Sequence, residues 1–397
     1  MSTTRRDFLK ISSLASASVL MPSFIQKLSA QAQGIHGKKL VIIQLSGGND
    51  GLNTIVPFED DRYYQARPTL GIAKEEVLKL NELQGMNPAM KALREVYDQG
   101  YMSILNSVGY PNPDRSHFRS MDIWHTGSSA QDHWHTGWLG RYLDHACKGD
   151  DPHKIMEIDG TLSLAMKGES MKGIAIQDPK KLRQAMKDPW FTHLMEGQAQ
   201  GVVQSDLDYL YKTMTETYSS VDYIYEKSRV FQSKMDYPQT QLGKKLKMVA
   251  ELICSGIETS VFYVSFTGFD THVRQANAHT RLLTQYSEAV AAFIKDLKSN
   301  DQWDQTAVMT FSEFGRRVDQ NASGGTDHGK ANNLFLMGGK LQRAGIYNEA
   351  PDLAKLDAGD VGYRIDFRQV YATLLDKWLE TDPQKILKAD IKPLNLI

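Results

Sequence analysis

Asp270-Thr271-His272 sets a carboxylate and an imidazole two residues apart. Further along, Ser312-Glu313-Phe314-Gly315-Arg316-Arg317 brings a second carboxylate and two arginines. Asp327-His328-Gly329 brings another Asp–His pair. Mixed Asp, Glu and His side chains are ligands for zinc, manganese or a similar divalent cation. Asp50, in Gly48-Asn49-Asp50-Gly51, is a further acidic candidate. The candidate metal set is therefore Asp50, Asp270, His272, Glu313 and His328. Ser116 stands where a helix should begin, and backbone N–H groups at a helix start stabilise an anionic nucleophile. Arg316 is placed to clamp an anionic group through two parallel hydrogen bonds. Together these residues suit metal-assisted chemistry, the cation lowering the pKa of Ser116 or of a water. Each also has a plainer reading: Asn-Asp-Gly is turn chemistry, Ser116 is a good helix cap, and Arg316 can brace a loop.

The elements that must position these groups are legible as apolar runs. Residues 39–48, 102–108, 259–266 and 306–312 read as core strands, with 333–337 as a further one. Lys154 to Ile158 and Gly173 to Ile176 are shorter strand-like pieces. Helical spacing appears in Asn87 to Gly100, between Ser116 and Gly127, in His279 to Leu297 and in Asp366 to Leu379. The strand–helix–strand run over 39–108 predicts a parallel pair. The candidate ligands fall just after strands, and in open α/β sheets ligands bind beyond the carboxyl ends of strands. Residues 181–257 read as a largely helical insertion covering one side of the sheet. Its Tyr209, Tyr211, Tyr218, Tyr223 and Tyr225 suit helix packing or a sugar. His125, His133 and His135 cluster around Trp124 and Trp134, where a structural or surface role is expected.

The chain has 397 residues, 41% of them hydrophobic and 23% charged, with a formal net charge of −1. That balance gives no basic field for nucleic acid. Thr4-Arg5-Arg6-Asp7-Phe8-Leu9-Lys10 followed by a mildly apolar run reads as a twin-arginine signal peptide over residues 1–32, with cleavage after Ala30 or Ala32. The expected partner at that stage is the twin-arginine translocase, and the expected location is periplasmic or otherwise exported. Nothing later in the sequence is apolar for long enough to span a bilayer. Two cysteines, Cys147 and Cys254, make no disulfide framework and read as small buried hydrophobes.

GGNDGLN, RSHF, GFDTH, SEFGRR and GTDHG, in this order behind that signal, resemble the DUF1501 family of exported bacterial proteins. The family in turn resembles the alkaline phosphatase and sulfatase superfamily. The resemblance implies one α/β domain over residues 33–397. Its fold would be an alkaline-phosphatase-like three-layer sandwich, a mostly parallel central sheet with helices on both faces. By position, Asp50 matches the first-strand aspartate ligand, Ser116 the nucleophile, Asp270 and His272 the Asp…His pair, and His328 the last histidine. Glu313 sits where an Asp–His pair normally stands. The departures weigh against a two-metal site: one residue separates Asp270 from His272 instead of three, and Phe314 stands where a histidine is expected. Ser116 also lacks the Cys/Ser-x-Pro-x-Arg context of a formylglycine sulfatase. The expected partner is a small anionic ester or a polysaccharide. The competing expectation is a non-catalytic exported binding or assembly protein that keeps the fold and uses these polar groups to brace loops.

Overall fold

Residues 37–146, 151–188, 218 and 220–397 are described by the computed structural model. The signal segment, Cys147, Tyr209, Tyr211 and the part of the helical insertion over 189–217 lie outside them. The central strand β1, Lys39–Ser46, is apolar on both faces, as a strand covered from both sides must be. Leu40 and Ile42 point into one core layer, Val41, Ile43 and Leu45 into the other. The first layer holds the helices α2 (His117–Thr126), α3 (Trp138–Ala146), α6 (Phe367–Thr373) and α7 (Pro383–Leu387). The second holds α1 (Lys91–Asp98), α4 (Gln241–Cys254) and α5 (Gln275–Ser299). This is the three-layer α/β arrangement that the resemblance implies. Helix α4 packs on one face of the sheet, with Leu242, Leu246, Val249 and Ile253 buried. Among the described residues no helix is long and apolar enough to cross a membrane.

Ile55–Val56, Leu78–Lys79 and Gly85–Met86 form a small antiparallel sheet apart. The other strands of the central sheet are β2 (Met102–Gly109), β3 (Ile155–Glu157), β4 (Ile174–Ala175), β5 (Val261–Thr267), β6 (Thr306–Phe311), β7 (Asn332–Gly338), β8 (Gly345–Ile346) and β9 (Ile365–Asp366). Their order is β8-β2-β7-β6-β1-β5-β3-β4, with β9 also beside β2. Only β7 runs against its neighbours β6 and β2. One expectation is corrected here. β1 and β2 point the same way, but β6 and β7 lie between them, so they are no hydrogen-bonded pair. An apolar run shows that a strand is buried and not which strand lies beside it. The antiparallel β7 has a consequence for function. It brings the loop before Asn332 to the same sheet edge as the loops leaving β1, β2, β5 and β6 (residues 46–53, 109–117, 267–274 and 312–317).

Close approach at that edge depends on Gly47. Its φ is +121°, and a methyl group there would lie 2.4 Å from the backbone nitrogen of Asp270. Gly47→Ala should therefore cost on the order of 3 kcal/mol, from strain and overpacking together. Gly100 also has positive φ (+77°) but has open space around it. Gly100→Ala should cost only about 1 kcal/mol. Urea midpoints measure both, and equal losses would show that the approach of Gly47 to Asp270 is unimportant.

Asp50 is fully enclosed and serves the edge as an anchor, not as an exposed ligand. Its Oδ2 accepts from Arg67 Nη1 at 2.6 Å and from Gln275 Nε2, and its Oδ1 accepts from the Asn53 N–H at 3.4 Å. Arg67 is equally buried and donates onward to the carbonyls of Val318 (2.9 Å) and Arg317 (2.9 Å). Burial pushes the Asp50 carboxyl up, and Arg67 outweighs it, holding the group below its ordinary value. A depressed folded pKa contributes stability that is complete above the unfolded value, about 3.9, and disappears as pH falls through the folded one. Arg67→Met should cost about 3–5 kcal/mol at neutral pH by stranding Asp50. It should also flatten the loss of stability as pH falls below about 4. A variant as acid-sensitive as the wild type would show that this pair carries none of that dependence.

Candidate metal centre

Three imidazoles and one carboxylate meet at the loop-bearing edge. Asp270, after β5, has Oδ1 at 3.0 Å from His272 Nε2, 3.2 Å from His328 Nε2 and 3.5 Å from His117 Nε2. His272 Nε2 and His328 Nε2 are 2.9 Å apart. His117, Asp270 and His328 each offer one ligand atom, all within 4.8 Å of one another. Ligand atoms around a tetrahedral zinc with bonds of about 2.0–2.1 Å stand roughly 3.3 Å apart, so the separations about Asp270 are of the right size.

The other nitrogen of each ring fixes its tautomer. His117 Nδ1 lies 2.9 Å from Glu313 Oε1, His272 Nδ1 lies 3.3 Å from Asp327 Oδ1, and His328 Nδ1 lies 2.8 Å from the carbonyl oxygen of Arg115. Each acceptor calls for a proton on Nδ1. That leaves the Nε2 lone pairs turned toward Asp270. His117 Nε2 is buried without a hydrogen-bond partner. Imidazoles that hold a metal are oriented in this way by carboxylates and carbonyls behind them. His117, Asp270 and His328 fit a divalent cation as donors, and His272 Nε2 stands beside Asp270 and His328 as a further candidate, with Arg316 Nη1 3.5 Å from it.

The electrostatics agree with this division of labour. Burial works to raise the Asp270 carboxyl, yet the hydrogen bond and positive charge of Arg316 bring it down to about 2. The Glu313 hydrogen bond raises the His117 imidazole, while burial lowers that of His328. Phe314 is the wall behind the cluster, its ring centroid 4.8 Å from that of His117 and 4.7 Å from that of His328. The residue at the expected histidine position thus packs the imidazoles in place.

Of the residues singled out in the sequence, Asp270, His272 and His328 are brought together. Asp50 is not, because Arg67 holds it. Glu313 is buried and both its oxygens are engaged: Oε1 accepts from the Gly47 N–H (2.8 Å) and faces His117, and Oε2 accepts from the Ser312 hydroxyl (3.2 Å). It orients a histidine instead of offering a ligand atom. Arg316 is no free clamp either. Its Nε donates to the Gly48 carbonyl (2.6 Å) and its Nη1 to that of Thr326 (2.9 Å). Its Nη2 donates to Gly47 O, to Phe269 O (2.9 Å) and to Asp270 Oδ1 (2.8 Å). Ser116 occupies the cap position of α2, but its side chain makes no capping bond. Its own N–H donates to Asp114 Oδ1 at 2.6 Å, and the residue is exposed between Arg115 and His117.

His117 is the residue that sequence reading missed. The signal was present in Arg115-Ser116-His117-Phe118, where the serine drew attention and its neighbour did not. Of the other tryptophan-flanked histidines, His125 is buried against Gln44 and Tyr263, and His133 and His135 are exposed. Cys254 is half-buried, its thiol pushed up to about 12 by burial.

Among solved structures, the chain is similar to the PsFucS1 sulfatase from Pseudoalteromonas sp. (9% identity, 92% of this chain and 72% of that one, TM-score 0.41). It is similar to the phosphonate monoester hydrolase SpPMH from Silicibacter pomeroyi (10%, 90% and 75%, TM-score 0.39). It is also similar to the C-terminal periplasmic domain of EcEptC from Escherichia coli in complex with Zn (10%, 76% and 72%, TM-score 0.37). No curated protein sequence matches the chain. Residues 100–391 match the family model described as a protein of unknown function, DUF1501. The chain belongs to the DUF1501 family.

Proposed function

We propose that this chain is a metal-dependent hydrolase of phosphate or related esters. The observation that carries this reading is the convergence of three Nε2 lone pairs on Asp270 Oδ1, with every Nδ1 committed elsewhere. His117, His272, His328 and Asp270 would hold one divalent cation, zinc or manganese by donor type. When bound, it supplies charge stabilisation for an anionic ester and lowers the pKa of a coordinated oxygen. Ser116 is the nucleophile in this reading. Its hydroxyl caps nothing, it is exposed, and it sits at the N-terminal end of α2 beside His117. Asp327, Glu313 and the Arg115 carbonyl hold the protons on Nδ1 and so keep the rings aimed.

The test is metal titration of chelator-treated protein, followed by turnover of an aryl phosphate and an aryl phosphonate. Wild type should bind one zinc or manganese per chain. His272→Ala should weaken binding at least tenfold. Ser116→Ala should keep the metal and change stability by less than about 0.5 kcal/mol, since no cap bond is lost. Its turnover should fall roughly 10³-fold. Wild type that binds neither metal would overturn the metal reading. Metal binding with no ester turned over would favour an exported binding or assembly protein. The engagement of Arg316 by five backbone and side-chain acceptors already speaks for that second reading, because it leaves no guanidinium free for an anion.

Export belongs to the same proposal. Arg5 and Arg6 would direct the folded chain through the twin-arginine translocase to the periplasm. A chain carrying R5K and R6K should accumulate as precursor in the cytoplasm, and unchanged export of it would remove this reading.

A further inference from the structure

Behind the metal centre, Asp357-Ala358-Gly359-Asp360 forms a tight turn. Asp357 and Asp360 pair through both backbone groups, with N–O distances of 2.9 and 3.2 Å. Ala358 and Gly359 take φ of +54° and +85°, the pair of positive values that a two-residue hairpin turn requires. The turn is gripped by cations from three loops of the site. Arg115, two residues before His117, pairs with Asp360 Oδ2. Arg317, next to Arg316, donates to the Ala358 carbonyl (3.1 Å) and lies 3.6 Å from Asp360 Oδ1. Lys330, two residues after His328, pairs with Asp357 at 2.7 Å. Asp360 is fully buried, and its Oδ1 has no partner at hydrogen-bond distance, the Arg317 contact being an ion pair only.

These contacts are unequal. The Lys330–Asp357 pair is exposed on the carboxylate side (60%) and contributes little. Arg115–Asp360 has its carboxylate at 0% exposure, where a charge-assisted bond is strong and its loss costly. Arg115 matters to the cluster through its backbone: its carbonyl accepts the His328 Nδ1 proton at 2.8 Å, and two residues later the chain places His117. A side chain pinned at one end thus fixes a carbonyl at the other. We infer that Asp360 is a positioning residue of the metal centre, acting through Arg115 to hold the His328 tautomer and the entry to α2. This inference rests on the proposed metal reading for its consequence, and on the Arg115–His328 hydrogen bond for its geometry.

The test uses Asp360→Asn, Arg115→Met, the double variant and Asp357→Asn in the full chain. Zinc affinity is read by competition with a chelator, and the side-chain ¹⁵N spectrum of His328 is read in metal-free protein. Asp360→Asn should weaken zinc 10- to 100-fold, as loss of an outer-shell partner does. It should also convert His328 from a single Nδ1–H tautomer to a mixture. Arg115→Met should do the same, and the double variant should lose no more than either single one. Asp357→Asn should change neither readout by more than about twofold. An Asp360→Asn protein that melts lower but keeps both zinc affinity and the His328 spectrum would overturn the inference. So would losses that multiply in the double variant. If Asp360→Asn does not fold, Arg115→Met reads the same coupling from its partly exposed end. If wild type takes up no zinc, the proposed function fails, and the His328 spectrum alone still decides this inference.

Discussion

The buried guanidinium of Arg316 is the constraint on which this sheet edge depends. A charged group out of water is tolerated only when its hydrogen-bonding capacity is met. Here it is met by carbonyls of Gly47, Gly48, Phe269 and Thr326 and by the carboxylate of Asp270. Those acceptors belong to three separate loops, after β1, after β5 and before β7. Because the fork of donors is planar and rigid, satisfying it sets where the three loops lie relative to one another. Asp270 and His328 are carried on two of them. The ends of β1 and β5 are free to come this close because Gly47 has no side chain.

A second buried cation extends the same device outward. Arg67 joins the Asp50 turn to the carbonyls that follow Arg316, at Arg317 and Val318. Asp50 and Arg316 therefore have one role in common despite opposite charge. Each is a polar group enclosed beneath the site, and each converts hydrogen-bond satisfaction into loop geometry. The groups with exposure left for chemistry are those above them: Ser116, His117, Asp270, His272 and His328.

This division explains what the sequence made legible. The strands were readable because burial on both faces demands unbroken apolar runs. Their carboxyl ends pointed to one edge, and Asp270, His272 and His328 come together at that edge. Burial of individual polar residues was not readable. Asp50 and Glu313 have the residue type of ligands, and only the positions of Arg67, Gly47 and Ser312 show that their oxygens are occupied. His117 was hidden for the opposite reason. It arrives from β2, whose relation to β1 depends on the antiparallel insertion of β7, and no local pattern encodes that neighbour. Nothing local marks Asp357 and Asp360 either, since their partners Arg115, Arg317 and Lys330 come from other parts of the chain.

The charges joined to the cluster bear on what it holds. Asp270, Glu313 and Asp327 contribute three negative charges through direct contacts with the histidines, and Arg316 returns one positive charge. With neutral imidazoles the set stands at −2. Two unit charges 4 Å apart interact by about 4 kcal/mol at an effective dielectric of 20, so an imbalance of this size is not left standing in a partly enclosed site. Protons on the histidines can offset it, as the raised His117 pKa indicates. The Nε2 atoms of His272 and His328, 2.9 Å apart, also need a proton between them when no cation is present. A divalent cation meets both demands at once: it brings the set to neutrality and gives the facing lone pairs a shared acceptor. Arg316 opposes it, being within hydrogen-bond distance of the same Asp270 oxygen. In the proposed metal centre the three imidazoles would therefore have to supply most of the affinity, and their outer nitrogens are tied in the way that task requires.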